Sequence, residues 1–347
     1  METKTKIVST KLEGQPTSMI WCYGTKRSNM VVVADWDRGL NCYKLKKELT
    51  KVESKRFEFI SLDLYQYEQN IYLACSDTYI RKLDLEKLTP LSIGSPGCTS
   101  FKVFVSDHAG KSSALVYSVA WDKTLAVWDE RTNKPASIYK KFAGKPYAAA
   151  CEGDLLAIAT NAMDISLFNL PDFQKKALPT STDPLDTKEL PRSLAIAQNY
   201  EYIAVGTYGA EVLAWWSQEQ DQQKMQNANI IGNGKYTEIS RNEDHFKAGR
   251  TARSLYPVND VKFHPRIQGV LGSGGGDGQV LVYDCFGEIE YKKVNFENKL
   301  TIPVAQIEFH KASELIAISV GEDFDNAQAK NPTLTLMDFR EYLPEEY

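Results

Sequence analysis

Residues 120–129, Ala-Trp-Asp-Lys-Thr-Leu-Ala-Val-Trp-Asp, read as the end of one strand, a tight turn at the Asp, and a returning strand that closes on an aromatic. The same pattern stands at Ala34-Asp35-Trp36-Asp37-Arg38-Gly39-Leu40-Asn41-Cys42-Tyr43 and at Gly275-Gly276-Asp277-Gly278-Gln279-Val280-Leu281-Val282-Tyr283-Asp284. Weaker copies at 76–84, 162–169, 208–216 and, with an insertion, 321–338 bring the units to seven. Their corresponding positions are Tyr43, Leu83, Trp128, Phe168, Trp215, Tyr283 and Met337, which are 40, 45, 40, 47, 68 and 54 residues apart. Four of these six steps lie near the period of about 40 to 45 residues expected when a four-stranded sheet is repeated around a ring.

Each unit has a further strand-like run upstream: 17–23, 59–64, 101–105, 147–151, 193–197, 258–264 and 304–310. No stretch carries the i, i+3, i+4, i+7 spacing of an amphipathic helix over helical length. The chain therefore reads as all-β, a single seven-bladed WD-repeat β-propeller spanning 1–347. The start, Lys6 to Leu12, has strand character and no partner in its own repeat. It is expected to close the ring by pairing with the last blade near Thr333 to Asp338, because closure removes an open sheet edge. The two long steps hold a Gln- and Asn-rich polar stretch at 217–254, expected to be mostly loop, and a last-blade insertion at 322–332.

Composition agrees with a globular β protein: 43% apolar residues, 11% aromatics, 18 Tyr and 14 Phe in 347 residues. Lys and Arg total 41 against 45 Asp and Glu, and the net charge of −4 is too mild for a polyelectrolyte binder. No direct contact with nucleic acid is expected. The opening METKTKIVSTK lacks the apolar core of a signal peptide, and the longest apolar runs are strand-sized, so the expectation is an intracellular, soluble protein with no membrane contact. Six cysteines are scattered singly with no CxxC, which points to reduced, mostly buried thiols.

No motif in the sequence makes up a catalytic centre. Leu271-Gly272-Ser273-Gly274-Gly275-Gly276-Asp277-Gly278 has the glycines of a phosphate loop, but it leads into a strand and lacks the Lys-Ser/Thr ending, so it reads as a blade turn. His264 and His310 occupy one repeat position, Val-Lys-Phe-His and Ile-Glu-Phe-His, which argues for a structural role. Glu322, Asp323 and Asp325 miss calcium-loop spacing because Ala327 falls on a required oxygen position. No catalytic residue, metal or cofactor is expected. Trp36 and Trp121 each precede the Asp of a tight turn and serve either as binding anchors or as packing against the next blade. Phe246-Lys247-Ala248-Gly249-Arg250-Thr251-Ala252-Arg253 places cations before an inner strand, hence on that same face.

Leu255-Tyr256-Pro257-Val258-Asn259-Asp260-Val261-Lys262-Phe263-His264-Pro265 and Gly274-Gly275-Gly276-Asp277-Gly278 resemble the sixth blade of a known family. Trp36 and Trp121 in their turns, Gly144-Lys145-Pro146-Tyr147 leading into 153–157, Phe246-Lys247 with Arg250, and the acidic last-blade insertion extend the resemblance over essentially the whole chain. The family comprises a spindle-checkpoint branch, budding uninhibited by benzimidazoles number three, and an RNA-export branch. The resemblance implies a non-enzymatic adaptor that binds GLEBS-type segments of checkpoint kinases through Trp36, Trp121, Arg192 and Tyr147. It further implies binding of phosphorylated MELT-type repeats of a kinetochore scaffold through Lys247 and Arg250. A second phosphate-reading Arg of the family is replaced here by Ala210, followed by Glu211. The implied place is the nucleus, and the kinetochore in mitosis, with a monomer apart from its partners. The alternatives are a nuclear-pore export adaptor and, from another class, a propeller enzyme with a central-channel site.

Overall fold

The strands that follow each inner strand are continuous apolar runs, such as Met30–Asp35, Leu155–Thr160 and Tyr202–Thr207, and every residue of these three is buried. A strand reads this way when both faces of its sheet are covered. The computed structural model describes residues 7–23, 30–46, 48–84, 87–106, 115–130, 135–139, 142–170, 185–187, 189–198, 202–217, 236–243, 246–248, 253–284, 291–293, 302–321 and 331–342. In it these strands belong to seven four-stranded antiparallel sheets, the blades of a propeller. From blade 1 to blade 7 the inner strands are Pro16–Cys22, Ser61–Tyr67, Ser100–Ser106, Pro146–Glu152, Pro191–Ile196, Val258–Phe263 and Val304–Phe309. The described residues hold no α-helix, only a 3-10 turn at Arg340–Tyr342.

Each junction between consecutive blades carries its own apolar cluster, seven in all among the described residues. Between blades 1 and 2, for example, Val32, Leu40 and Cys42 meet Leu64, Leu73 and Leu83. Burial of one such aliphatic side chain is worth about 1.5–3 kcal/mol, so a blade gains its stability from its neighbours. The ring closes as the unpaired start requires. Ile7–Lys11 is the outer strand of blade 7, in register from Ile7 opposite Met337 to Lys11 opposite Thr333. Blades 1 and 7 are further tied where Trp21 Nε1 donates to the Glu308 carbonyl at 3.0 Å and the Lys311 N–H donates to Tyr23 Oη at 2.8 Å.

Of the polar stretch 217–254, expected to be mostly loop, the described residues are strands, while 218–235, 244–245 and 249–252 lie outside the described residues. Tyr236–Glu243 is the outer strand of blade 5, paired with Glu211–Ser217, and Phe246–Ala248 forms a short hairpin with Arg253–Leu255. An outer strand needs few apolar residues because its pairing is through the backbone, which is why composition hides it. Of the last-blade insertion, residues 322–330 lie outside the described residues.

Two local devices recur around the ring. Each inner strand carries one β-bulge at the same point, and the extra residues are Thr17, Leu62, Phe101, Tyr147, Arg192, Asn259 and Ala305. A bulge re-aims the side chain it adds. The turn after the second strand places Arg38, Thr78, Lys123, Met163, Ala210 and Gly278 at φ between 64° and 77° in blades 1 to 6. Five of these donate an N–H to the carbonyl three residues back, at 3.0–3.2 Å. The Asp of the turn closes it from the side chain, since Asp77, Asp122 and Asp277 accept the N–H two residues on, from Tyr79, Thr124 and Gln279.

Candidate functional site

One hydrogen bond, repeated in every blade, fixes the candidate face. The first turn residue donates its N–H to the residue just before the inner strand: Trp36 to Gln15, Ser76 to Ile60, Trp121 to Thr99, Asn161 to Lys145, Tyr208 to Leu190, Gly276 to Pro257 and Gly321 to Pro303, at 2.8–3.3 Å. These residues and the bulges therefore crown the same end of the propeller. At this turn position blades 1, 3 and 5 carry aromatics, whereas blades 6 and 7 carry glycine. A Cβ at Gly321 would stand 2.7 Å from Pro16 Cδ, so blade 1 leaves no room there for a side chain.

The exposed large apolar residues gather on this face. Of nine among the described residues, Trp36, Tyr79, Trp121, Tyr147, Met163 and Tyr208 belong to its turns and bulges. The other three, Val52, Leu91 and Ile138, lie on outer strands. Six of the nine thus lie on one end of the ring.

Trp121 is 41% exposed and Tyr147 36%, and Lys145 joins them, its Nζ lying 5.1 Å from the indole centre and 6.0 Å from the phenol ring centre. The Trp121 ring also stacks on Phe101, the bulge residue of its own blade, at 6.0 Å and 6°. Trp121 is thus both an exposed surface and a packed one. Arg192, at the bulge of blade 5, donates from Nη1 to Tyr208 Oη at 2.6 Å, with its guanidinium 5.1 Å from that ring. Trp36, 37% exposed, is on the same face in blade 1. The backbone of Lys247 is in the hairpin before blade 6; its side chain, and all of Arg250, lie outside the described residues. Ala210 is fully buried at φ 68°.

Sequence reading missed Lys145, Met163 and Tyr208. Tyr208 shares the repeat position of Trp36 and Trp121, which was signal enough. Lys145 carries no such mark, because its partner indole belongs to the preceding blade.

No family model matches the chain. It is 24% identical over 298 residues to "Spindle assembly checkpoint protein bub3" of Schizosaccharomyces pombe, covering 84% of each chain. It is 25% identical over 226 residues to "Poly(A)+ RNA export protein" of the same yeast, covering 63% of this chain and 58% of that one. The chain is homologous to these WD-repeat proteins. Among solved structures, "Structure of U3-55K" shares the fold at a TM-score of 0.70 and 10% identity, over 97% of this chain and 99% of that chain.

The inner strands of consecutive blades are laced together by side chains one residue past the bulges. Ser18 Oγ accepts the Leu64 N–H at 3.0 Å, Asp63 the Val103 N–H at 3.1 Å and Asp260 the Ile307 N–H at 3.0 Å, each from the next blade. Lys102 pairs with Asp63 at 2.8 Å and Lys262 with Glu308 at 3.0 Å. Burial pushes Asp260 up to about 6. Burial also works against the Lys262 charge, yet Glu308 and Asp260 hold its pKa above the ordinary lysine value. Among the described residues no three His, Cys, Asp or Glu side chains are grouped to hold a metal ion. No helix among them is long and apolar enough to cross a membrane. His264 Nδ1 accepts the N–H groups of Arg266 and Ile267, and His310 Nδ1 that of Ala312, so both close the turn after an inner strand.

Proposed function

We infer that the protein is a non-enzymatic mitotic checkpoint adaptor. Trp36, Trp121, Tyr147 and Arg192 dock GLEBS-type segments of checkpoint kinases, and Lys247 with Arg250 binds phosphorylated MELT-type repeats of a kinetochore scaffold, in the nucleus and at kinetochores. The observation that carries this reading is the concentration of exposed aromatic and cationic side chains on one end of the ring, the composition of interface hot spots. The relative named as a spindle assembly checkpoint protein supports the checkpoint branch. The inner-strand charges, paired with one another and with strand amides, favour a structural role over an active site. The test is capture of partners from mitotic cells with the full chain as bait, where recovery of checkpoint kinases supports the reading.

The second reading, an adaptor for RNA export at nuclear pores, is favoured by the relative named as a poly(A)+ RNA export protein. Recovery of nucleoporins without checkpoint kinases would replace the first reading with this one.

A further inference from the structure

Met163 is the one bulky apolar residue among the left-handed turn positions of blades 1 to 6; it sits at φ 64° where its counterparts are Arg38, Thr78, Lys123, Ala210 and Gly278. Left-handed backbone favours glycine or asparagine, and a large apolar side chain is strained there. The blade makes no use of that side chain. The Met163 N–H donates to the Thr160 carbonyl at 3.1 Å and its carbonyl accepts the Thr187 N–H at 2.8 Å, bonds that any residue would make. Met163 belongs to none of the seven apolar clusters of the described residues, and it is 38% exposed. Strain that serves nothing within the blade points to a contact outside it.

The turn that presents Met163 is firmly seated. Lys145 donates its N–H to Asn161 Oδ1 at 2.7 Å and accepts the Asn161 N–H at its carbonyl at 2.9 Å, while a Cβ at Gly144 would stand 2.7 Å from the Ala162 nitrogen. A thioether held out in this way adapts to varied partners and packs on aromatic rings, and it is also the apolar side chain that a peroxide oxidises. The other described methionines are shielded, Met19 at 3% exposure, Met30 at 4% and Met337 at 0%. Met1 and Met225 lie outside the described residues.

We propose that Met163 is a redox modification site: a peroxide converts its thioether to the sulfoxide, and the change releases a segment docked on this end of the propeller. The sulfur lone pair attacks one peroxide oxygen; the O–O bond breaks, an S–O bond forms, and the second oxygen leaves as water with both protons. Sulfur loses two electrons and the peroxide gains them. The product is polar where the thioether was apolar, so a partner's aliphatic or aromatic side chain lying on Met163 would strip water from a group that needs it. Thiol-dependent sulfoxide reductases reverse the step, one for each sulfoxide epimer, which makes it a switch. This rests on the reading of the face as a peptide dock and adds a regulation of it.

The test treats the full chain with hydrogen peroxide at neutral pH and follows each methionine by peptide mass spectrometry. Met163 is expected to oxidise at least about tenfold faster than Met19, Met30 and Met337. The binding probes are peptides selected on the untreated full chain from a random displayed library and lost in Trp121→Ala. Oxidation should weaken them about tenfold, the effect of one lost apolar contact, and treatment with both sulfoxide reductases should restore them. Met163→Leu keeps the volume and lacks the sulfur, so its binding, whatever its starting strength, should not respond to peroxide. This variant separates residue 163 from Met1, Met225 and the cysteines. Oxidation of Met163 no faster than that of the buried methionines, unchanged binding after full oxidation, or an undiminished peroxide response in Met163→Leu would overturn the proposal. Peptides that depend on Trp121 and ignore oxidation leave the dock standing while the switch falls; if no selected peptide depends on Trp121, both fall.

Discussion

Arg192 and Tyr208 hold one another on the exposed end of blade 5: Nη1 donates to the phenol oxygen at 2.6 Å while the guanidinium lies 5.1 Å from the ring. The pair joins a bulge residue to the first residue of the turn that follows, the two positions at which every blade addresses the face. A guanidinium fixed in this way is preorganised for a carboxylate. Arg192→Ala is expected to weaken a GLEBS-type peptide by about 2 kcal/mol, roughly thirtyfold. Tyr208→Phe removes only the hydrogen bond and should cost about 1 kcal/mol. Isothermal calorimetry measures both, and equal effects of the two would show that orientation of Arg192 is all that matters.

Lys247→Ala should weaken only a phosphorylated MELT-type peptide, by roughly 1.5 to 3 kcal/mol for one lost charge-assisted bond, and leave the plain peptide unaffected. Blade 5 offers little help to phosphate there: Ala210 is buried, Glu211 follows it, and Glu189 crowds Gly209 so closely that a Cβ would meet its Cγ at 2.6 Å. Should the parent protein bind both peptides equally, replacement of the family Arg by Ala210 has removed the phosphate pocket.

Removing residues 1–11 takes the outer strand from blade 7, including half-buried Ile7 and Val8, and exposes the edge of Thr333–Asp338. A loss of about 2 kcal/mol or more is expected from apolar burial alone, with a tendency to associate through the bared edge. Urea unfolding with light scattering reads both, and an undiminished midpoint would mean that the ring does not need this strand.

Burial, with Arg266 adding to it, holds His264 down to about 4, and His310 is lowered for the same reasons. The unfolded chain takes up these protons near the ordinary value of about 6.5, before the folded chain does, so stability is full above that value and is lost as pH falls toward 4. Asp260, raised to about 6, works in the opposite direction over part of the same window. The measurement is therefore comparative: urea midpoints of the parent and of His264→Gln between pH 7.5 and 5, where the parent should lose more stability than the variant. Parallel curves would show that His264 does not drive the acid sensitivity.

The fold was legible because three turns keep Trp-Asp or Gly-Asp in a constant frame, and Asp77, Asp122 and Asp277 accept the N–H two residues on. Blades 4 and 5, with Ala162 and Gly209 in place of that Asp, reach the same backbone and therefore looked weaker in sequence than they are. Of the site, Trp121 was legible from its turn and Tyr147 and Arg192 by resemblance, and the structure puts Trp121 and Tyr147 around Lys145, which was quoted in a matching stretch but not named as a site residue. Contacts that cross from one blade to the next leave no periodic trace. Strand 236–243 was illegible for a different reason, since its pairing with Glu211–Ser217 uses backbone groups that any polar sequence supplies.

The seven bonds that tie each turn to the strand before it run between backbone atoms alone, whatever residue stands there, from Trp36 to Gly321. Architecture and message are thereby separated. The frame can stay constant over generations while the bulge and turn positions drift in those blades that have room for a side chain, as blade 7 at Gly321 does not, much as type is reset within a fixed forme. New partners become accessible to such a protein through changes that leave its folding undisturbed.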